Sequence, residues 1–354
     1  MERERKKLRL NPLLITMNIT GILCLICCIM ILVLILSGNQ TKEPAKDAMA
    51  LEPGRTYTAE EVDALIAEAK SEGNEEGKED IKEDIKNAYT NGTGIVHELR
   101  LLFPNDIVFY NNGKYQFVPI SDTIPARTYD PAGLVVNERN EMEYQVNGQT
   151  ESVKGIDLSR YQGEVDWALV AADGVDYAMI RIGIRGYGTG EIVLDDTFDA
   201  NMTGALQNDI DVGAYFFTQA ISEEEAIAEA NAVIEALAPY KVTYPIAIDV
   251  EDVNDSAART ANLTPEQRTD YVIVFCETLK AAGYTPMIYG NLKSFCDMLD
   301  MERLNDYEKW FAFYDTYVYF PYEISMWQYT DSGVVNGIEG NVDLNITFTR
   351  KWGQ

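Results

Sequence analysis

Histidine is nearly missing from this chain: His97 is the only one among 354 residues, and it lies ahead of the region in which strand-like and helical stretches alternate. That region is therefore without Ser-His-Asp catalysis, Cys-His catalysis and the usual His-containing zinc sites. Cysteine is scarce too. Of the five, Cys24, Cys27 and Cys28 sit inside an apolar run, which leaves only Cys276 and Cys296 elsewhere. Neither has metal-ligand spacing, and two thiols do not make a disulfide framework, so both read as buried thiols, with a single bridge as the alternative. Positive charge is the third shortage, with 29 Lys and Arg against 57 Asp and Glu, a net charge of −28 and a pI near 4.3. Binding nucleic acid or anionic lipid requires Lys and Arg to neutralise phosphates, so neither is expected as a partner. Nucleotide motifs are lacking as well: the loop RGYGTG after Ile184 has glycines but neither GK[ST] nor GxGxxG, and reads as a turn.

One uncharged stretch is long. Leu13 to Leu36 holds 24 residues without a charge. As a helix rising ~1.5 Å per residue it spans about 36 Å, enough for a hydrocarbon core of ~30 Å. The twelve residues before it carry Arg3, Arg5, Lys6, Lys7 and Arg9 against Glu2 and Glu4. The positive-inside rule places residues 1–12 as a cytoplasmic tail, 13–36 as a transmembrane helix, and everything after Ser37 outside the cell. The expected location is the cell membrane, single-pass, with the helix in the cytoplasmic membrane. A cleaved signal peptide, and with it a secreted protein, is the alternative. Its apolar region is normally ~7 to 15 residues followed directly by small residues, and here Ala48-Met-Ala50 lies too far downstream.

Residues 37–57 are polar with Pro44 and Pro53, a linker composition. Thr58-Ala-Glu-Glu61 then has the form of a capping box, and the charged run behind it reads as a helical stalk over 58–90, weakened at Gly73 and Gly77. Pairing of two stalks stays open, although a coiled coil needs more sustained heptads than these. Residues 91–150 read as a small β-rich module, with IVFYNNGKYQFVPI forming a hairpin about Asn111-Asn112-Gly113.

From Gly155 eight strand-like runs follow: GIDLS, YAMIRIGI, VGAYFFTQ, YPIAIDVE, TPMIYGN, KWFAFYD, ISMWQYT and VDLNITF. Helical runs at Val165 to Ala172, Thr197 to Asn208, Ser222 to Ala238, Pro265 to Ala282 and Leu292 to Leu299 separate the first six. Crossovers of that kind make the first six strands parallel, whereas the last three, joined without helices, point to hairpins. The expected fold is α/β: an irregular TIM-like (β/α) barrel of eight strands and about five helices over 151–354, preceded by the transmembrane helix, the stalk and the β module. An open doubly wound sheet is the alternative.

On the strand YPIAIDVE, alternation puts Ala247, Asp249 and Glu251 on one face and Ile246, Ile248 and Val250 on the other. The aliphatic face suits packing under helices, so the acids look into the barrel mouth at the carboxyl end of the strand. Asp157 holds the corresponding place on the first strand. Asp343 begins the last, and reaches the same mouth if that strand runs antiparallel to WQY. Tyr215, Tyr289 and Trp327 stand at neighbouring strand ends. Such acids could instead pair with Arg181, Arg185 or Lys241. Taken as functional, they fit two chemistries: glycoside hydrolysis, with one raised-pKa acid and one ionised carboxylate, or a Mg²⁺ phosphodiesterase using D-x-E as hard oxygen ligands.

The residues from Gly155 to Phe348 resemble the family 25 glycoside hydrolases, the muramidase lysozymes of bacteria and phage. The resemblance runs through GIDLSRYQGEVDW, then Asp195, Phe198 and Asn201 ahead of VGAYFF, the D-x-E of IAIDVE, IYGN, and the closing WQYTDSGVVNGIEGNVDLN. It implies cleavage of the β-1,4 bond between N-acetylmuramic acid and N-acetylglucosamine in peptidoglycan, with Glu251 as proton donor and Asp157, Asp249 and Asp343 as its catalytic partners. Tyr161, Tyr215, Tyr289, Trp327 and Gln328 are the expected substrate contacts, and no cofactor or metal is expected. A barrel that has lost activity and only binds the wall is the competing class. Two positions depart from the family: Phe216 stands where many members have histidine, and Asp315 closes KWFAFYD where others vary. Both read as changes in the cleft wall.

Overall fold

The strands that follow Gly155 close into a ring in the computed structural model, because Val153–Leu158 pairs with Tyr177–Arg185 on one side and with Val342–Thr347 on the other. The structure describes residues 94–349 except Asn112, together with Gly73, residues 77–88, Thr90, Asn91 and Trp352. The expected transmembrane segment, the linker and the start of the stalk lie outside the described residues. Within the stalk, residues 77–88 are helical. Among the described residues no helix is long and apolar enough to cross a membrane.

Residues from Gly94 onward form one compact unit. It begins with helix α1 (Val96–Leu102) and the hairpin β1 (Asp106–Asn111) and β2 (Lys114–Pro119), where Gly113 takes the positive φ that the two-residue turn requires. A three-stranded antiparallel sheet follows: β3 (Leu134–Val136), β4 (Met142–Val146) and β5 (Gln149–Thr150). These pieces are fastened to the barrel rather than hung from it. Tyr319 Oη accepts a hydrogen bond from Val108 N, Tyr322 Oη accepts one from Ser121 N, both at 2.8 Å, and Tyr129 stacks on Phe348 at 4.1 Å.

The barrel strands are β6 (Val153–Leu158), β7 (Tyr177–Arg185), β9 (Asp211–Phe217), β10 (Ile246–Asp249), β11 (Pro286–Gly290), β12 (Glu308–Ala312), β13 (Met326–Gly333) and β14 (Val342–Thr347). A short β8 (Ile192–Leu194) adds antiparallel to β7 on the outside. Helices α2 (Trp167–Ala172), α3 (Phe198–Gln207), α4 (Glu223–Leu237) and α5 (Pro265–Ala281) fall where the sequence places them. Their starts follow from local chemistry. Ser222 caps α4 ahead of three glutamates, and Thr264 with Gln267 forms a capping box on α5 with Pro265 in its first turn. The fifth expected helix shrinks to a single π-type turn, Ser294–Met298, followed by a 3-10 turn at Met301–Leu304.

The hairpin reading of the last three strands is half corrected. β12 and β13 pair in parallel, and only β14 runs antiparallel, to both β13 and β6. The chain returns between β12 and β13 through an irregular crossover, residues 313–325, whose Val318, Phe320, Tyr322 and Ile324 are buried. Phe320 stacks on Phe311 of β12 at 4.4 Å, so aromatic rings cover the sheet where a helix otherwise would.

Two apolar clusters result. One lies between the sheet and its covering elements and includes Ile156, Ile180, Phe216, Ile248, Phe311 and Trp327. The other fills the barrel interior with Tyr177, Met179, Ala247, Met287, Trp310 and Met326. Gly155 makes the interior fit: a Cβ there would stand 2.1 Å from the Tyr177 ring. Cys276 and Cys296 are free, and burial pushes the Cys296 thiol up to about 12.

Candidate active site

Period-2 alternation carries one polar layer to the carboxyl end of the barrel. Asp157 from β6, Arg181 from β7, Tyr215 from β9, Asp249 from β10, Tyr289 from β11, Gln328 from β13 and Asp343 from β14 all line one cavity of about 410 Å³, which Glu251, just past β10, completes. The antiparallel β14 delivers Asp343 as its direction requires, with Asp343 opposite Asp157 in the ladder. Four acids thus meet in one opening.

Asp157 is held from two sides. Gln328 Nε2 donates to its Oδ2 at 2.7 Å and Asn345 Nδ2 donates at 2.8 Å. The orientation of both amides follows from donors behind them. Trp310 Nε1, which can only donate, gives its proton to Asn345 Oδ1 at 2.8 Å, while Tyr289 and Tyr314 hydroxyls donate to Gln328 Oε1 at 2.8 and 3.0 Å. Burial pushes Asp157 up to about 6 against the pull of those bonds. Burial, with the charge of Asp157 beside it, pushes Asp343 higher, to about 8. Near neutral pH the pair therefore shares a proton that Asp343 carries and Asp157 accepts.

The other two acids have no such support. Asp249 is buried, its Oδ1 has no hydrogen-bond partner, and Glu251 makes no side-chain hydrogen bond among the described residues. Burial, then the charges of Glu251 and Asp157, raises Asp249 well above the usual carboxylate range, with Arg181 pulling the other way. Burial and the charge of Asp343 raise Glu251 as well. Burial thus favours the protonated form of both acids.

The cations weighed as structural partners are paired with other acids or lie away from the cavity. Arg181 is bound by Asp195 at 2.8 Å, and its guanidinium lies 5.1 Å from the centre of the Tyr161 ring. Arg185 pairs with Glu229 of α4 at 2.6 Å. Lys241 does not line the cavity. Asp195 of the second motif therefore positions Arg181 and Tyr161 rather than meeting the opening itself.

Of the expected substrate contacts, Tyr161, Tyr215 and Tyr289 line the cavity, and Tyr161 is 76% exposed. Trp327 does not. It is fully buried on the outer face of the sheet, and its Nε1 donates to Phe313 O at 2.8 Å. Adjacent strand residues point to opposite faces, so Gln328 inward requires Trp327 outward. Gln328 lies at the wall, but its Oε1 and Nε2 are already engaged within the protein. The indole in the cavity is Trp310, whose ring meets Tyr289 edge-on at 4.6 Å. Phe216 is likewise in the outer core, and Asp315 is exposed on the crossover with its Oδ1 accepting from Thr316 N, so neither lines the cavity. Trp310, Tyr314, Arg181 and Asn345 were not singled out as site residues. Asn345, two residues after Asp343 on the same face, carried a signal in its spacing.

Comparison with known proteins places this geometry. The pattern of "Glycosyl hydrolases family 25" matches residues 156–338. An uncharacterised Escherichia coli (strain K12) protein, YegX, is 28% identical over 200 residues, covering 55% of this chain and 69% of that protein. Lysozyme M1 of Streptomyces globisporus is 27% identical over 207 residues, covering 55% and 68% respectively. Among solved structures, the modular autolysin LytC of Streptococcus pneumoniae in complex with a synthetic peptidoglycan ligand superposes with a TM-score of 0.51 at 26% identity. That match covers 62% of this chain and 52% of LytC, so the chain spans about half the length of that autolysin.

Proposed function

Because the chain belongs to the glycosyl hydrolases of family 25, we propose that it is a peptidoglycan muramidase that cuts the β-1,4 bond between N-acetylmuramic acid and N-acetylglucosamine. The observation that supports this most directly is the pair Asp249 and Glu251, a buried acid whose Oδ1 has no hydrogen-bond partner among the described residues and a half-buried one beside it, facing a cavity walled by Tyr215, Tyr289, Trp310 and Tyr314. Lysozyme M1 and the ligand bound to LytC supply the substrate class by similarity.

In this reading Glu251 protonates the glycosidic oxygen as the bond breaks. Asp249 receives the substrate's own acetamido group. An N–H donated to the unpartnered Asp249 Oδ1 favours its ionised form, so negative charge settles on Asp249 and the cluster's proton on Glu251, where the leaving group needs it. The ionised Asp249 then orients the acetamido oxygen towards the sugar carbon as positive charge grows there, a substrate-assisted departure from the usual two-carboxylate scheme. Asp157 and Asp343, sharing one proton, keep a fixed negative charge nearby without placing two. The uncharged stretch Leu13 to Leu36 would tether this barrel outside the cytoplasmic membrane, and retention of the full chain in alkali-washed membranes tests that part.

The test of the chemistry is Glu251→Gln in the full chain. It should lower kcat on purified peptidoglycan by at least ~10²-fold, the lower end of what a positioned general acid supplies, while glycan binding persists. Undiminished activity would remove Glu251 from the role. Glycan binding by the wild type without release of reducing ends would favour a wall-binding protein, and activity abolished by EDTA and restored by Mg²⁺ would favour metal-dependent phosphodiester cleavage.

A further inference from the structure

A second cavity, of about 490 Å³, begins where the first ends and shares Glu251, Tyr289 and Tyr314 with it. Its far wall is not part of the barrel. It is built by Arg100 of α1 and by Phe109, Tyr110 and Asn111 at the end of β1. The near wall comes from the segment after β11, with Asn291 and Lys293, and from Phe313 and Tyr314 of the crossover. From this geometry we infer that the N-terminal hairpin extends the catalytic cleft and supplies a further subsite for the glycan strand, binding a neutral sugar ring beyond the point of cleavage. The inference rests on the muramidase reading for the identity of the strand.

The wall is braced rather than floppy. Tyr115 meets the Tyr110 ring edge-on at 5.1 Å, Asn111 Nδ2 donates to Asp297 at 3.3 Å, and Val108 N is bonded to Tyr319 Oη at 2.8 Å. Each contact fixes the hairpin against itself or against the barrel.

What remains to meet a ligand selects its chemistry. Both cations of the groove are already engaged. Lys293 is ion-paired with Asp252, next to Glu251. Arg100 donates to Val108 O at 3.0 Å and to Tyr317 Oη at 3.1 Å, with its guanidinium 3.6 Å from the centre of the Tyr319 ring. An acidic stem peptide would find Lys293 already neutralised by Asp252, with only the charge of Arg100, hydrogen-bonded to neutral partners, left in the groove. The aromatic faces are different: Tyr110 is 60% exposed and Tyr314 52%. Asn291 Oδ1 is occupied by Lys293 N and by Ser294, which leaves its amide nitrogen as a donor. Flat rings beside an amide donor suit the C–H face and hydroxyls of a pyranose, and exposed aromatics gathered in one groove mark a binding surface.

Calorimetry on the full chain carrying Glu251→Gln, titrated with peptide-free peptidoglycan glycan fragments, tests this. Adding Tyr110→Ala should weaken binding of an octasaccharide about tenfold, the factor that ~1.4 kcal/mol gives, and change binding of a disaccharide less than twofold. The exposed position of Tyr110 keeps the fold out of question, and an unchanged melting temperature would document it. Equal affinity for the octasaccharide with and without Tyr110→Ala overturns the subsite, as does an equal loss on the disaccharide. An effect seen only with peptide-bearing strands would make the occupant the stem peptide and overturn it too. Failure of the muramidase reading looks different, because the wild type would then release no N-acetylmuramic acid reducing ends whatever the binding pattern.

Discussion

Asp157 sits at the junction of two chains of donors, from Trp310 through Asn345 and from Tyr289 and Tyr314 through Gln328. Each amide turns its nitrogen to the carboxylate because its oxygen is already claimed. Gln328→Leu removes one of the two bonds that favour ionised Asp157, so the acid limb of the kcat/KM profile should move up by about one pH unit. A merely structural role for Gln328 would lower activity without moving the limb. Asp343 gives a stability prediction of definite sign. Its carboxyl is raised to about 8 in the fold and titrates near ~3.8 when unfolded, so between those values the native state holds more protons and stability falls as pH rises. Asp343→Asn should therefore melt a few degrees above the wild type at pH ~8, roughly what 1 kcal/mol does in a domain of this size, with the difference vanishing below pH ~4. A constant difference across that window would contradict the assignment. The acids themselves were legible in sequence because strand alternation assigns faces residue by residue. Their charges were not. Burial raises both Asp249 and Glu251, and burial is a property of the closed barrel. Trp327 was misplaced for a local reason: it and Gln328 are neighbours on one strand and cannot both face the cleft.

At the scale of elements, alternation and caps located the strands and helices from Gly155 onward, while pairing across β12 and β13 was hidden. A stretch without helical periodicity looks like a turn, yet the crossover 313–325 buries Phe320 and Tyr322 over the sheet and so returns the chain to run parallel. The fifth helix shortened because Asn291 accepts from Lys293 N and Ser294 N at once, closing a tight turn at the strand end. Glycine in β6 is the test of the packing. Gly155→Ala would drive a methyl into the Tyr177 ring, and should cost at least ~2 kcal/mol in chemical unfolding. Gly188→Ala, where nothing lies within 4 Å, should stay within about 0.5 kcal/mol. Equal effects at the two sites would mean that the barrel interior is looser than the close approach of Tyr177 to Gly155 implies.

Across the whole molecule the strand pattern announced a barrel and the motifs announced its family, whereas the attachment of residues 94–150 was invisible. The hairpin about Gly113 was readable from its turn, but its bonds to Tyr319 and Tyr322 join residues some 200 positions apart in sequence. The charge balance is also a whole-molecule property. With a net charge of −28 the chain is suited to a substrate reached through rings, amides and buried acids rather than through long-range attraction. The pH dependence should reflect that cluster as a unit, with activity rising as Asp157 ionises near 6 and falling as the remaining shared proton leaves near 8. The bond that is cut defines the proposed activity. Mass spectrometry of borohydride-reduced fragments, after the full chain has digested purified peptidoglycan, reads it directly. Muramidase cleavage leaves reduced N-acetylmuramic acid at the new ends, with Glu251→Gln yielding almost none; reduced N-acetylglucosamine at those ends, or fragments with no new reducing end at all, would contradict the proposed activity.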